Sequence, residues 1–265
     1  MADELEIELL ENFDLIPLLI TILFVLFALL LLVVLKVQIS KEAIQAASQS
    51  LVQLMILATF LFFIFQEANL LLSIIILAFM SVFAGYTAGQ RSPQEGAALV
   101  AFIGVIITLM LILPALVWTG VFETEGNFLI PASAMIIGNT MNSTALALKR
   151  LHEAFQENQE MIESFLALGI DPQTTVAPFV RISIETALIP TTNKLKASGI
   201  VHIPGLMTGL LIMGEDPVYA AELQFILLAL IFVAGVVSAV IVSLLMSRKY
   251  FEVETARLKA IKLKS

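Results

Sequence analysis

The sequence predicts an all-α, polytopic membrane protein that crosses the bilayer seven times, its sixth crossing broken, with a helix left in the cytoplasm. Three observations carry that expectation. Hydrophobic residues make up 59% of the 265 positions and charged residues only 14%, outside the balance of a water-soluble domain. Uncharged runs of about 20 residues, the length that spans a hydrocarbon core as a helix, recur along the chain. The short stretches between them segregate basic from acidic residues. The whole chain, 1–265, reads as one transmembrane domain.

The first 14 residues, "MADELEIELLENFD", are acidic where a secretory signal needs a positive n-region, so the apolar segment behind them is expected to be retained. Five runs then follow: Leu15 to Leu35, Ala43 to Gln66, Ala68 to Gln90, Gly96 to Phe122 and Gly126 to Leu148. A sixth lies between Ile182 and Gly214, and Leu223 to Met246 makes a seventh. Lys36, Lys41, Arg91, Lys149, Arg150, Arg181, Arg248 and Lys249 fall on one side if the N-terminus is outside. The loops around Glu67, around Glu123 and Glu125, and around Glu215 and Asp216 hold acidic residues only. Basic residues are retained on the cytoplasmic side, so the orientation is N-outside and C-inside. The sixth run is too long for one crossing: its 33 residues make about 50 Å of helix against a core of about 30 Å. Pro190, Pro204 and Gly205 supply breaking points, and Lys194 and Lys196 are expected to reach an interface.

His152 to Pro172 is the one long polar passage in the middle of the chain, inside a cytoplasmic coupling segment expected over 150–181. On a helix, Leu151, Phe155, Ile162, Phe165 and Leu166 share one face while Glu153, Glu157 and Glu160 share another. Gly169 fits the left-handed position that ends a helix, with Ile170 folding back on Phe165 or Leu166. Asp171 caps the next helix, Pro172 suits its first position, and Pro178 kinks or delays the return to the membrane. Interfacial helices favour Lys and Arg on the polar face; this one offers Glu and Gln beside an anionic leaflet. The pattern therefore points to docking against a soluble partner.

Polar residues gather at what would be the cytoplasmic mouth. Gln45, Ser48, Gln49 and Gln53 lie on span two, Thr87 and Gln90 end span three, and Asn139, Thr140, Asn142, Ser143 and Thr144 lie on span five. They line a vestibule or hold helices together by hydrogen bonds; the residue types suit both. Gly85 with Gly89 and Gly205 with Gly209 are GxxxG pairs, whose ordinary role is close helix packing. Glu185 pairs with Arg181 one turn away, or becomes a cation site if it faces a cavity. His152 and His202 are isolated, there is no cysteine, and the ten methionines are scattered through apolar runs. No Ser/His/Asp or paired-carboxylate arrangement stands at membrane depth, which argues against an intramembrane hydrolase. The net charge of −8 comes with no basic stripe, so no nucleic acid is expected. The tail, 247–265, is basic and suits anchoring to anionic lipid or contact with a partner.

"ESFLALG", Glu163 to Gly169, is similar to the Glu-to-Gly spacing of the loop by which ABC permeases contact their ATPase. "GNTMNSTALALKRL" (Gly138 to Leu151), "TALIPTTN" (Thr186 to Asn193) and "IPGLMTGLLIMGEDP" (Ile203 to Pro217) resemble signature stretches of the FetB family of iron-export ABC permeases. Ile170, Lys194 and Lys196 depart from that pattern. The resemblance implies a permease homodimer on an ATPase pair in the prokaryotic inner membrane. It also implies a coupling segment carrying Phe155, Ile162, Glu163, Phe165, Leu166, Gly169 and Asp171, while the clustering of polar groups at one depth points to a pathway lined by Gln45, Gln49, Gln53, Asn139, Asn142 and Ser143. Pro190, Asn193, Pro204, Gly205, Met207 and Gly209 would form a gate or broken helix.

The chain has no GxxxxGK[ST] phosphate loop, yet moving a divalent cation outward against an inside-negative potential costs about 4.6 kcal/mol per 100 mV. ATP and Mg are accordingly expected in a partner ATPase, with no cofactor in this chain. Two other functions fit the residues: a secondary transporter using Glu185 and the broken span, and a non-transporting subunit relaying ATPase motion. Iron rests on the resemblance; another metal, a chelate or a nucleotide-sugar-like anion remains open as cargo.

Overall fold

The computed structural model describes residues 15–37, 44–46, 48–50, 52–58, 70–118 and 126–250, and every described element of any length is a helix. Residues Met1–Glu67 and Ala68–Ser265 form two compact units. In the first unit, α1 (Leu15–Val34) is uniformly apolar. It ends with Lys36 in the left-handed region, its N–H on the Val33 carbonyl and that of Val37 on Leu32. The described residues of 44–58 are helical. The acidic leader, Lys41, the loops around Glu67 and around Glu123 and Glu125, and the tail beyond Tyr250 lie outside the described residues.

The second unit contains α2 (Leu70–Gln90), α3 (Ala97–Trp118), α4 (Gly126–Glu157), α5 (Gln159–Ala167), α6 (Pro172–Ala197), α7 (Gly205–Ile212) and α8 (Pro217–Lys249). Among the described helices, three are long and apolar enough to cross a membrane: Leu71–Gln90, Ala97–Trp118 and Pro217–Lys249. α4 is the hub, packed against α2, α3, α6 and α8. Buried serines and threonines sit inside while Phe79, Met110, Leu111 and Phe225 face outward, the arrangement expected where the surrounding solvent is hydrocarbon. Several of those hydroxyls bond a carbonyl of their own helix, as with Ser81 to the Leu77 carbonyl at 2.6 Å and Thr140 to Ile136 at 2.8 Å. Ser183 and Ser243, 3.0 Å apart, join α6 to α8.

Glycines set the close approaches. A Cβ at Gly89 would stand 2.3 Å from the Ala98 Cα, and one at Gly85 2.8 Å from the Phe102 Cα, so α2 and α3 meet backbone to backbone as the GxxxG spacing predicts. The second pair behaves differently: a Cβ on Gly205 or Gly209 would meet nothing within 4 Å. Among the described residues, helix packing does not use them: α7 rests on α8 through Leu206 and Leu210 against Ala220 and Leu223.

Two corners repeat one design, Gly-x-Asp-Pro. At the first, Gly169 (φ +80) gives its N–H to the Leu166 carbonyl and Ile170 gives its own to Phe165; Asp171 then accepts from the Thr174 N–H at 3.1 Å, with Pro172 opening α6. At the second, Gly214 (φ +90) and Glu215 bond Leu211 and Leu210, and Asp216 accepts from Val218 and Tyr219 ahead of Pro217. Each joins a left-handed glycine stop to a carboxylate cap.

The Ile182–Gly214 stretch is interrupted as expected, at the Pro204–Gly205 point and not at Pro190. α6 runs unbroken through Pro178 and Pro190 to Ala197, and the interruption is the turn Ser198–Pro204 before α7. A proline removes one hydrogen bond at a cost of about 3 kcal/mol. Ending a helix in apolar surroundings strands several backbone groups and costs more. At Ser198–Pro204 the chain meets that need itself: Gly199 bonds the His202 carbonyl at 3.0 Å and Val201 bonds Ala197 at 2.8 Å. The fifth run also differs, since α4 does not stop at Leu148 but continues to Glu157, so the polar passage is two helices joined at Asn158.

Candidate functional site

The polar passage builds one end of the second unit. α4 projects beyond its apolar run as a polar rod, braced on its outer side by Arg150 and Glu153 at 3.3 Å. α5 follows, and the Gly169 corner turns the chain into α6. The apolar face expected to meet a partner is instead turned inward. Phe155 is 1% exposed and Ile162 0%, packed with Leu151, Val176, Phe179 and Met246. Covering that face with the chain's own helices satisfies the hydrophobic demand that sequence alone assigned to a second protein. What α5 leaves in the open is a rim of Met161, Glu163, Phe165, Leu168 and Ile170, with Leu168 77% exposed and Leu166 half-buried beneath it.

Beneath the rim lies an aromatic key that the sequence did not suggest. The Phe155 ring stacks on Tyr250 at 4.1 Å and meets Phe179 edge-on at 5.9 Å, tying the α4 rod to the end of α8 and to α6. His152 Nδ1 stands 3.3 Å from the Tyr250 hydroxyl. Burial raises the Tyr250 pKa, opposed by a hydrogen bond from the Gln94 side chain in the α2–α3 connection. The same connection is crossed by Lys249, whose Nζ would lie 2.9 Å from a Cβ on Gly96. The end of α4, the early turns of α6, the end of α8 and the α2–α3 connection therefore meet at one aromatic cluster. The signal was present in Tyr250, which with Phe251 forms an aromatic pair just after the last apolar run, but nothing local says that Tyr250 folds back onto Phe155.

Burial lowers the pKa of His152, which lies beyond the apolar run of α4; the neighbouring Glu153 opposes the shift more weakly. An imidazole of lowered pKa takes up fewer protons folded than unfolded, so stability is full above about pH 6.5 and declines as pH falls below it. Thermal unfolding in detergent should show a lower midpoint at pH 5.5 than at 7.5 in the wild type, and a smaller drop in His152→Gln. Equal drops in the two proteins would contradict this role for the imidazole.

The predicted pathway residues are divided between the two units. Gln45, Gln49 and Gln53 are exposed in the first unit. In the second, Ser143 is buried, its Oγ 3.0 Å from where a Gly235 Cβ would stand, while Asn142 is exposed. Asn139 points across to α6, where Lys194 donates from Nζ to its Oδ1 at 2.6 Å. Lys194 thus reaches the middle of α4. Asn193 is exposed beside it, and Met207 donates its backbone N–H to Gln224 at 3.3 Å. Arg181 and Glu185 line a 410 Å³ pocket between α6 and α8 together with Arg248 and Gln173, but no ion pair joins Arg181 to Glu185 within 4.0 Å. Among the described residues, no three His, Asp or Glu side chains converge as a metal cage.

Apolar helices with a buried polar interior, a projecting polar rod and a broken helix define a polytopic α-helical integral membrane protein. The chain belongs to the UPF0014 family, described as an uncharacterised protein family, whose pattern matches residues 15–251. It is 30% identical over 217 residues, 82% of this chain and 84% of the other, to the Escherichia coli protein named Probable iron export permease protein FetB. It is 32% identical over 204 residues to the Arabidopsis thaliana Protein ALUMINUM SENSITIVE 3, covering 75% of this chain and 73% of that one. To the Synechocystis membrane protein slr1647 it is 31% identical over 216 residues, 78% and 82% of the two chains. No solved structure matches.

Proposed function

We propose that this chain is the membrane-spanning subunit of an ABC transporter that moves iron or a related metal outward. ATP and Mg act in a separate ATPase, and two copies of the chain sit on a pair of such ATPases in the prokaryotic inner membrane. The chain crosses seven times, N-outside and C-inside, with α5 on the cytoplasmic face, and hydrolyses nothing itself. One observation carries this reading: α4 leaves its apolar run as an unbroken rod, ends in a small exposed helix, and is keyed through Phe155 to α6 and α8. A push on α5 is then delivered to three transmembrane helices at once, as rigid-body alternating access requires. The name of the E. coli relative supports the cargo and the direction.

The exposed rim tests it. Phe165→Asp with Leu168→Asp should leave the fold intact, since both side chains are exposed, and should reduce the ATPase recovered with the tagged chain at least about ten-fold. Undiminished recovery from mild detergent would count against docking through α5.

A further inference from the structure

We propose that Lys194 and Asn139 form a binding point for a negatively charged group on the cargo. What crosses is then a carboxylate- or phosphate-bearing species, a metal held in such a complex included, in preference to a bare divalent cation. The inference rests on the permease reading above and names its substrate class.

Depth is the first argument. Asn139 lies 13 positions after Gly126 and 10 before Lys149, about 20 Å and 15 Å along the helix. Lys194 lies 13 positions after Arg181, again about 20 Å. Both therefore fall within an apolar slab about 30 Å thick, whichever face is inside. An ammonium at that depth cannot be left to lipid and is held where protein or a water-filled path covers it.

Geometry is the second. Asn139 is fixed by its own amide, which donates to the Met135 carbonyl at 2.7 Å and leaves its oxygen for Lys194. An ammonium has three donors, and Asn139 accepts from one. No carboxylate lies within 4.0 Å of Lys194 among the described residues. Among the described residues the pair has room beside it: Lys194, Asn193 and Asn142 are exposed, and a Cβ on Gly138 would meet nothing within 4 Å. An oriented cation with spare donors and room beside it attracts an anionic oxygen and repels a naked cation.

The test uses the chain purified with its ATPase in lipid nanodiscs, with binding followed by equilibrium dialysis. The probes are radiolabelled ferric citrate, metal-free citrate, inorganic phosphate and ferrous ion alone. Ferric citrate should bind, and Lys194→Gln should weaken it about ten-fold or more, as loss of a charge-assisted hydrogen bond implies. Lys194→Arg should restore most of the affinity. On the wild type alone, metal-free citrate or phosphate should displace the bound complex, which decides the matter even if Lys194→Gln does not fold; whichever displaces better identifies a carboxylate or a phosphate class. Ferrous ion that binds alone with affinity unchanged by Lys194→Gln, or failure of every anionic probe to bind, would overturn the proposal. Failure of the permease reading is seen separately, as absence of ATPase from the purified sample.

Discussion

Phe155→Ala should lower the thermal unfolding midpoint sharply and separate ATP hydrolysis from transport. The ring is 1% exposed, stacked on Tyr250 and edge-on to Phe179, and truncation of such a residue costs about 3–5 kcal/mol. The same substitution removes the key between the α4 rod and α8, so any complex that still assembles should hydrolyse ATP with transport reduced at least about ten-fold. Phe155→Leu, which keeps most of the volume, should recover more stability than coupling. Differential scanning fluorimetry and transport in proteoliposomes read the two effects separately. A midpoint within 2–3 °C of wild type for Phe155→Ala, a shift worth only about 1 kcal/mol, would show that the cluster is not what holds this end together.

Gly89→Val should be as severe for a different reason. A Cβ there would stand 2.3 Å from the Ala98 Cα and 3.0 Å from its backbone nitrogen, and backbone cannot swing aside as a side chain can. α2 and α3 must separate, with a cost of about 3 kcal/mol or more. Gly209→Val supplies the contrast, because a Cβ there meets nothing within 4 Å. The chain carrying it should be recovered from membranes at the wild-type level, while Gly89→Val should be recovered poorly or aggregated. Equal yields from size-exclusion chromatography would contradict the close approach of α2 and α3.

The contrast between these glycines marks how far the sequence could be read. A GxxxG spacing states that a helix face is flat; it does not state what lies against it, and among the described residues one pair meets a neighbouring helix while the other meets nothing. The amphipathic passage raises the same difficulty. Phe155 and Ile162 declare an apolar face, and either a partner or the chain's own α6 and α8 could cover it; the nonlocal Phe155–Tyr250 contact decides. Signals written in consecutive residues were legible: Gly169 stopped α5, Asp171 capped α6, and apolar runs located α2, α3 and α8. Pro190 misled because local propensity ignores how costly an open helix end is in hydrocarbon. Lys194 was legible as an oddity, and only the packing of α6 on α4 shows where its ammonium goes.

The repeated Gly-x-Asp-Pro corners have a mechanical consequence. At the Gly169 corner a left-handed glycine, a proline ring and a bonded carboxylate leave few torsions free, so α5 and α6 turn together like the arms of a crank. Lys194 is 22 positions along that crank from Pro172, about 33 Å, so a swing of roughly 10° at the corner carries it about 6 Å. The slack that absorbs such a stroke lies at Ser198–Pro204, whose bonds are all short-range, and the far arm, α7, can stay seated on α8 while α6 sweeps.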